Sequence, residues 1–267
     1  MIETKNLNNP GDYDTTINVI GGIKDYGNIY KAIEAHVSEK DSFQELILDR
    51  NEFNLRTEKS RLRIQKAIEV AFLNFQNQNH LDLFNGLFKR SVPLPGRELI
   101  LFWQFSLSNR LFREISTEVF TKIYFSGRAS LSKDDITAYL KEFLSQNKHL
   151  NLRWSENTIL TLSTKYLNIM TKLNFLEGAR TKTFKYISVS AENLTLFLYF
   201  ARLHNSESQN ILKNEILPLS FVSPEDLLER LKKLSMKDFY KMNFNGVDLN
   251  IELIHSYKGI CNVLYNR

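Results

Sequence analysis

Glycine and proline are scarce in this chain, and that scarcity limits the possible folds more than any other feature of the sequence. Only 10 glycines and 5 prolines occur among 267 residues. Sandwiches and barrels need such residues at their many turns. The composition therefore predicts a mainly helical protein, and 43% hydrophobic residues, rich in Phe and Tyr, are enough for a packed core.

Apolar residues recur at helical spacing, most clearly in the segment 57–75. Its predicted buried stripe consists of Ile64, Ala67, Ile68, Ala71 and Phe75. The opposite side carries Arg56, Lys59 and Arg63, which are candidate phosphate contacts. The alternative is a solvated face whose bases pair with nearby glutamates. These glutamates are Glu52, Glu58 and Glu69.

Changes in pattern divide the chain into three predicted units. Residues 1–127 form an N-terminal helical domain, and its first 25 residues lack periodicity, which predicts a poorly ordered arm or an extended lead-in. Residues 128–205 give the order helix, loop, helix, β-hairpin, helix, which is typical of a winged helix–turn–helix with a short β-hairpin wing. Residues 206–267 add a helix and a strand as a C-terminal extension. The fold class predicted is a mainly α, multi-helix protein that contains this module.

Positive charge is concentrated in two segments of the chain. Residues 50–128 hold 13 basic and 7 acidic side chains, and residues 150–205 hold 7 and 3, in a chain whose net charge is +5. Basic charge gathered in particular segments is expected of a protein that binds a polyanion. The alternative is a slightly basic surface without such a role.

The second helix of the predicted module and the following wing hold the candidate nucleic-acid contacts. The helix contributes Ser155, Asn157, Thr158, Thr161, Lys165, Asn168 and Lys172, and the wing contributes Arg180, Lys182 and Lys185. Hydroxyl and amide groups bond base edges or phosphates, and Lys and Arg neutralise phosphates. The N-terminal residues of a recognition helix point into the major groove. The alternative is an ordinary solvated helix in a protein-interaction module.

Motifs that carry catalysis or hold a cofactor are missing from the sequence. No Gly-rich phosphate loop, nucleophile elbow or His–Cys metal spacing occurs, and Cys261 is the single cysteine. We therefore predict a protein that is not an enzyme and has no cofactor or metal. The longest apolar runs are five and six residues, in 99–103 and 196–201, and the N-terminus lacks a signal-peptide pattern. These features predict a cytoplasmic protein with no membrane contact.

Three stretches of the sequence resemble the BrxA family of bacterial BREX phage-defence systems. The first is Asn51–Arg63. The second joins Leu101–Trp103 with Asn109–Val119, and the third runs from Trp154–Thr158 to Lys172–Gly178. The resemblance covers roughly residues 28–255. It implies a mainly helical, non-enzymatic protein that binds double-stranded DNA beside the system's methyltransferase and ATPase components. The family offers no short contact motif to transfer, so the candidate contacts come from the helix and the wing.

The sequence thus predicts a non-enzymatic component of a BREX system that binds double-stranded DNA through a winged helix–turn–helix and a basic surface. Two alternatives remain. One is a protein-interaction scaffold within the defence complex, and the other is an RNA-binding helical protein.

Overall fold

The computed structural model of the chain describes residues 13–38, 43–88 and 96–265. The predicted mainly helical class is confirmed. The N-terminal helices are α1 (Ile17–Ile20), α2 (Gly27–Val37), α3 (Phe43–Leu48), α4 (Glu58–Phe72), α5 (Gln78–Phe88), α6 (Arg97–Ser108), α7 (Arg110–Ile115) and α8 (Thr121–Phe125). The buried side of α4 follows the predicted stripe, with Ala67, Ile68 and Ala71 inside.

The predicted helix over 109–125 is divided into α7 and α8 by a π-helical turn at Ser116–Phe120. Its start is fixed by Asn109, whose backbone is extended and whose side-chain oxygen accepts a 2.7 Å hydrogen bond from the Phe112 N–H. Asparagine favours this capping role because it satisfies an otherwise free helical N–H. The cap separates α6 from α7.

Residues 128–205 follow the predicted order of helix, loop, helix, β-hairpin and helix, and we call them the middle module. Its elements are β1 (Ser130–Leu131), α9 (Lys133–Gln146), α10 (Glu156–Lys172), β2 (Leu176–Glu177), β3 (Lys182–Phe184) and α11 (Ala191–His204). The sequence did not predict β1. It pairs antiparallel with β3, and the three strands form a sheet of order β1-β3-β2.

The C-terminal extension contains two helices and, between them, a hairpin. Two 3₁₀ turns, Ile211–Lys213 and Leu217–Ser220, lead to α12 (Pro224–Ser235), β4 (Tyr240–Phe244), β5 (Leu249–Leu253) and α13 (Ile260–Tyr265). The predicted alternating strand is β5, and its partner is β4, with Tyr240 opposite Leu253. The Asn245 side chain closes the loop by accepting hydrogen bonds from the Val247 and Asp248 N–H groups.

Buried apolar residues from all three predicted units belong to one hydrophobic cluster. Phe221 of the extension shows this best, because its ring lies 5.4–6.0 Å from four other aromatic rings. These rings are Phe102, Phe120, Tyr124 and Phe175. The three units therefore share a core, and the boundaries between them remain a prediction.

The predicted N-terminal arm differs from the structure over its described part, residues 13–25. Instead of lying free, this segment contains α1, which packs against α4 and α10, and Ile17, Ile20 and Ile23 are buried. Asp14 anchors its start by accepting a 2.8 Å hydrogen bond from the Asn109 amide. Four residues of helix are too few for periodicity to reveal. Residues 1–12 lie outside the described residues.

Candidate nucleic-acid interface

The start of α9 is fixed by a capping box. Ser132 Oγ accepts a hydrogen bond from the Asp135 N–H, and the Asp135 carboxylate accepts one from the Ser132 N–H. Arg128 donates two more hydrogen bonds of 3.0 Å to the same carboxylate. Partial burial alone would raise the pKa of Asp135, but the bonds from Arg128 and Ser132 outweigh it and hold the pKa below its usual range.

Helix α10 begins at Ser155, whose hydroxyl accepts a hydrogen bond from the Thr158 N–H. The predicted inward stripe is buried, and it consists of Ile159, Leu162, Tyr166, Ile169, Met170 and Leu173. Two buried polar contacts add to the fit: Tyr166 OH lies 2.9 Å from Ser116 Oγ, and Thr137 donates a 3.0 Å hydrogen bond to Ser163. The packing fixes which side of α10 faces outward.

The outward side of α10 carries amides and hydroxyls. Asn157, Thr161, Thr164 and Asn168 follow the spacing i, i+4, i+7, i+11, and we call these four residues the reading face. Thr161 and Thr164 each donate a 2.8 Å hydrogen bond to the carbonyl four residues earlier, so their oxygen atoms remain able to accept. Thr164 is exposed but was not among the contacts predicted from the sequence. Its spacing of seven residues from Asn157 places it on the same side of the helix. Thr158, predicted as a contact, is half-buried beside the Ser155 hydroxyl.

Both lysines predicted on α10 lie against α1 and the residues that follow it. The Lys172 ammonium donates hydrogen bonds to the carbonyls of Gly21 and Ile23, and it lies 5.4 Å from the centre of the Tyr26 ring. Burial, together with the nearby Lys165 charge, lowers the pKa of Lys172. Lys165 is half-buried, and its backbone and Cβ pack on Gly21. Lys172 is therefore occupied inside the fold, and we leave it out of the interface.

The β2–β3 hairpin forms a compact basic loop. Gly178 has a φ of +92° and so adopts a conformation that favours glycine, and its carbonyl accepts a 2.6 Å hydrogen bond from the Lys182 ammonium. Lys185 donates to the Asn174 side chain, and Arg180 is exposed at the turn. None of these three cations makes an ion pair with a residue that the structure describes. Their charges are available to an anion.

The basic side of α4 is also exposed. Arg56, Lys59 and Arg63 make no ion pair within the described ranges. Two of the glutamates expected to pair with them have other partners: Glu52 lies 3.6 Å from Lys31, and Glu69 accepts from Gln65. Glu58 makes no ion pair with a described residue. The alternative of a charge-neutralised face therefore loses support.

Within the part of the chain that the structure describes, no three His, Cys, Asp or Glu side chains gather closely enough to hold a metal ion. In the same residues, no helix has the length and apolar character needed to cross a membrane.

These observations define a mainly helical protein whose middle module has three helices, a three-stranded sheet and several cations that make no ion pair with a described residue. A family model described as BrxA matches residues 25–197, which is well over half of the chain, and the chain belongs to the BrxA family. Membership implies a component of a BREX phage-defence system. The match contains α2 to α10 and the wing, but not α1 or the C-terminal extension. A search of curated proteins found no match.

Proposed function

We propose that this chain is a non-enzymatic double-stranded DNA-binding component of a bacterial BREX system. In this proposal the middle module is a winged helix–turn–helix, α10 enters the major groove, and the β2–β3 wing contacts the backbone. The α4 basic side provides a second phosphate contact. Methyltransferase and ATPase components of the system are the expected protein partners.

The sheet order β1-β3-β2 around α9 and α10 is the observation that carries the proposal. The basic hairpin follows α10 directly in the chain, and β3 pairs with β1, which precedes α9. A neutral hydrogen-bonding face and cations without a described ion pair therefore belong to one small module. The hydrogen-bonding face can bind base edges, and the cations can bind phosphates. The cations Arg180 and Lys182 support contact with a polyanion in particular.

The test is fluorescence anisotropy of the full chain with duplex DNA, single-stranded DNA and RNA of matched length, at two salt concentrations. We expect a preference for the duplex that persists near physiological salt, with affinity that falls steeply as salt rises. The variant Arg180→Glu/Lys182→Glu should weaken duplex binding about tenfold or more and reduce the salt dependence. Lys232→Glu/Lys237→Glu, which reverses two exposed lysines of the C-terminal extension, is the matched charge control.

Three results would contradict the proposal. Preference for structured RNA would favour an RNA-binding protein, and a wing variant that binds like the control would exclude the wing. Loss of all DNA binding at physiological salt, with co-elution of the methyltransferase or ATPase component, would favour a scaffold. The scaffold is the second candidate because the extension exposes 80% of Met236 and 75% of Val247, which suits a protein partner.

A further inference from the structure

The reading face of α10 has no cation of its own. Lys165 and Lys172 are the basic residues of this helix, and both lie against α1 or the residues that follow it. A helix in the major groove has phosphates on both sides, and their charge must be met by the residues that flank the helix. The wing follows α10 in the chain. The flank before α10 is the turn between α9 and α10, residues 147–155.

This turn is basic, exposed and free of acids. Lys148 and Arg153 are both exposed, and neither makes an ion pair within the described residues. The neighbouring acids have other partners: Glu156 lies 2.7 Å from Lys141, and the Glu142 carboxylate accepts a 2.8 Å hydrogen bond from Gln146. The two cations therefore have no described acidic partner, and they lie in the segment that leads directly into α10.

The backbone of the turn is well defined. Asn151 adopts the left-handed conformation with a φ of +51°, which asparagine tolerates, and it ends the short 3₁₀ turn Lys148–Leu150. Trp154 is half-buried against the hydrophobic cluster and so ties the end of the turn to the core. The two cations are thus mounted on a short, anchored loop. Ordering such a loop on binding costs little conformational entropy.

We infer that Lys148 and Arg153 form a further phosphate-binding element, which holds the DNA backbone at the N-terminal end of α10, whereas the wing follows the C-terminal end of that helix. The inference rests on the proposed function, since the ligand is the phosphodiester backbone of the same duplex. It replaces the contacts that Lys165 and Lys172 were predicted to make. The interface then consists of a neutral reading face with basic elements before and after it.

The experiment measures how duplex affinity depends on salt for the full chain and for Lys148→Gln/Arg153→Gln. Each phosphate contact contributes roughly 0.9 to the slope of log affinity against log salt, so losing two should reduce the slope by about 1.8. The control Lys232→Gln/Lys237→Gln removes two exposed, unpaired charges from the extension and should keep the wild-type slope. The charge-conserving variant Lys148→Arg/Arg153→Lys should keep most of it.

The outcomes separate this inference from the proposed function. If the turn variant retains the wild-type slope while Arg180→Glu/Lys182→Glu loses affinity, the turn is not a contact and the DNA-binding proposal stands. If the wild-type chain does not bind the duplex, the proposed function itself is wrong. Thermal unfolding of each variant shows whether a loss of binding comes from a loss of folding.

Discussion

His80 is a buried histidine whose hydrogen bonds fix it in the neutral form. Its Nε2 lies 2.6 Å from the Gln104 side-chain oxygen, and its Nδ1 accepts a hydrogen bond from the Gln76 N–H. Gln104 in turn donates to the Phe72 carbonyl, so its oxygen is the end that faces His80. Because Nδ1 accepts the hydrogen bond from the Gln76 N–H, it cannot also carry a proton. The ring therefore holds its single proton on Nε2. Burial lowers the pKa of His80 to about 4, and the Gln104 bond offsets only part of this.

We therefore expect stability to fall in acid because of His80. The unfolded chain takes up a proton near pH 6.5, whereas the folded chain takes it up only near pH 4. The free energy of unfolding should therefore be highest above pH 6.5 and fall by about 3 kcal/mol between pH 6.5 and 4. Urea unfolding at pH 7, 5.5 and 4.5 measures this fall.

His80→Gln is the matched variant, because it removes the titrating group and keeps a polar side chain. It should be less stable than the wild type at pH 7 but lose less stability in acid. Burial also lowers the pKa values of His36 and His204, and these contribute equally to both proteins. Parallel pH curves for the two proteins would show that His80 does not carry the effect.

At the scale of elements, the sequence predicts long periodic helices well and short contacts poorly. Ser155 and the stripe from Ile159 onward identify α10 and its outward side, and Gly178 between β-prone segments identifies the wing. The sequence does not reveal the role of α1, because this helix has four residues and its contact with Lys172 spans about 150 positions. For the same reason the sequence could not show that Lys172 is occupied.

Gly21 is the residue that lets α1 approach α10. A Cβ there would lie 2.4 Å from the Lys165 carbonyl oxygen and 2.8 Å from the Lys165 Cβ, and backbone of a packed helix cannot move aside easily. Gly21→Ala should therefore lower the free energy of unfolding by about 1–3 kcal/mol. Urea unfolding of Gly22→Ala provides the control, since the nearest atom there is 3.1 Å away. Equal stability of the two variants would disprove this account of the contact.

At the scale of the whole molecule, Phe221 joins the N-terminal helices, the middle module and the extension. Replacing it with alanine leaves a cavity among four rings and should lower the free energy of unfolding by about 3–5 kcal/mol. Because the core is shared, unfolding should remain a single transition. Trp103, whose indole N–H donates a 2.8 Å hydrogen bond to the Leu219 carbonyl, is a fluorescence probe of this region.

Chemical denaturation followed by tryptophan fluorescence and by far-ultraviolet circular dichroism tests both expectations. Phe244→Ala is the control, since that ring is 41% exposed, and it should cost less than about 1 kcal/mol. Separate midpoints for the two signals in the wild-type chain would show that the predicted units unfold independently. If Phe221→Ala is as stable as Phe244→Ala, the four surrounding rings move together and fill the cavity.

Because α1 is buried between α4 and α10, its packing can be completed only after α10 has been synthesised. Ile17, Ile20 and Ile23 leave the ribosome early, but the Lys172 contact needs about 150 further residues. At bacterial elongation rates this is a delay on the order of ten seconds. Throughout that interval Ile17 and Ile20 lack the contacts that α1 makes with α10, and closing so long a loop makes these contacts late. We therefore expect nascent chains of this protein to be open to chaperone capture at α1 until α10 has emerged.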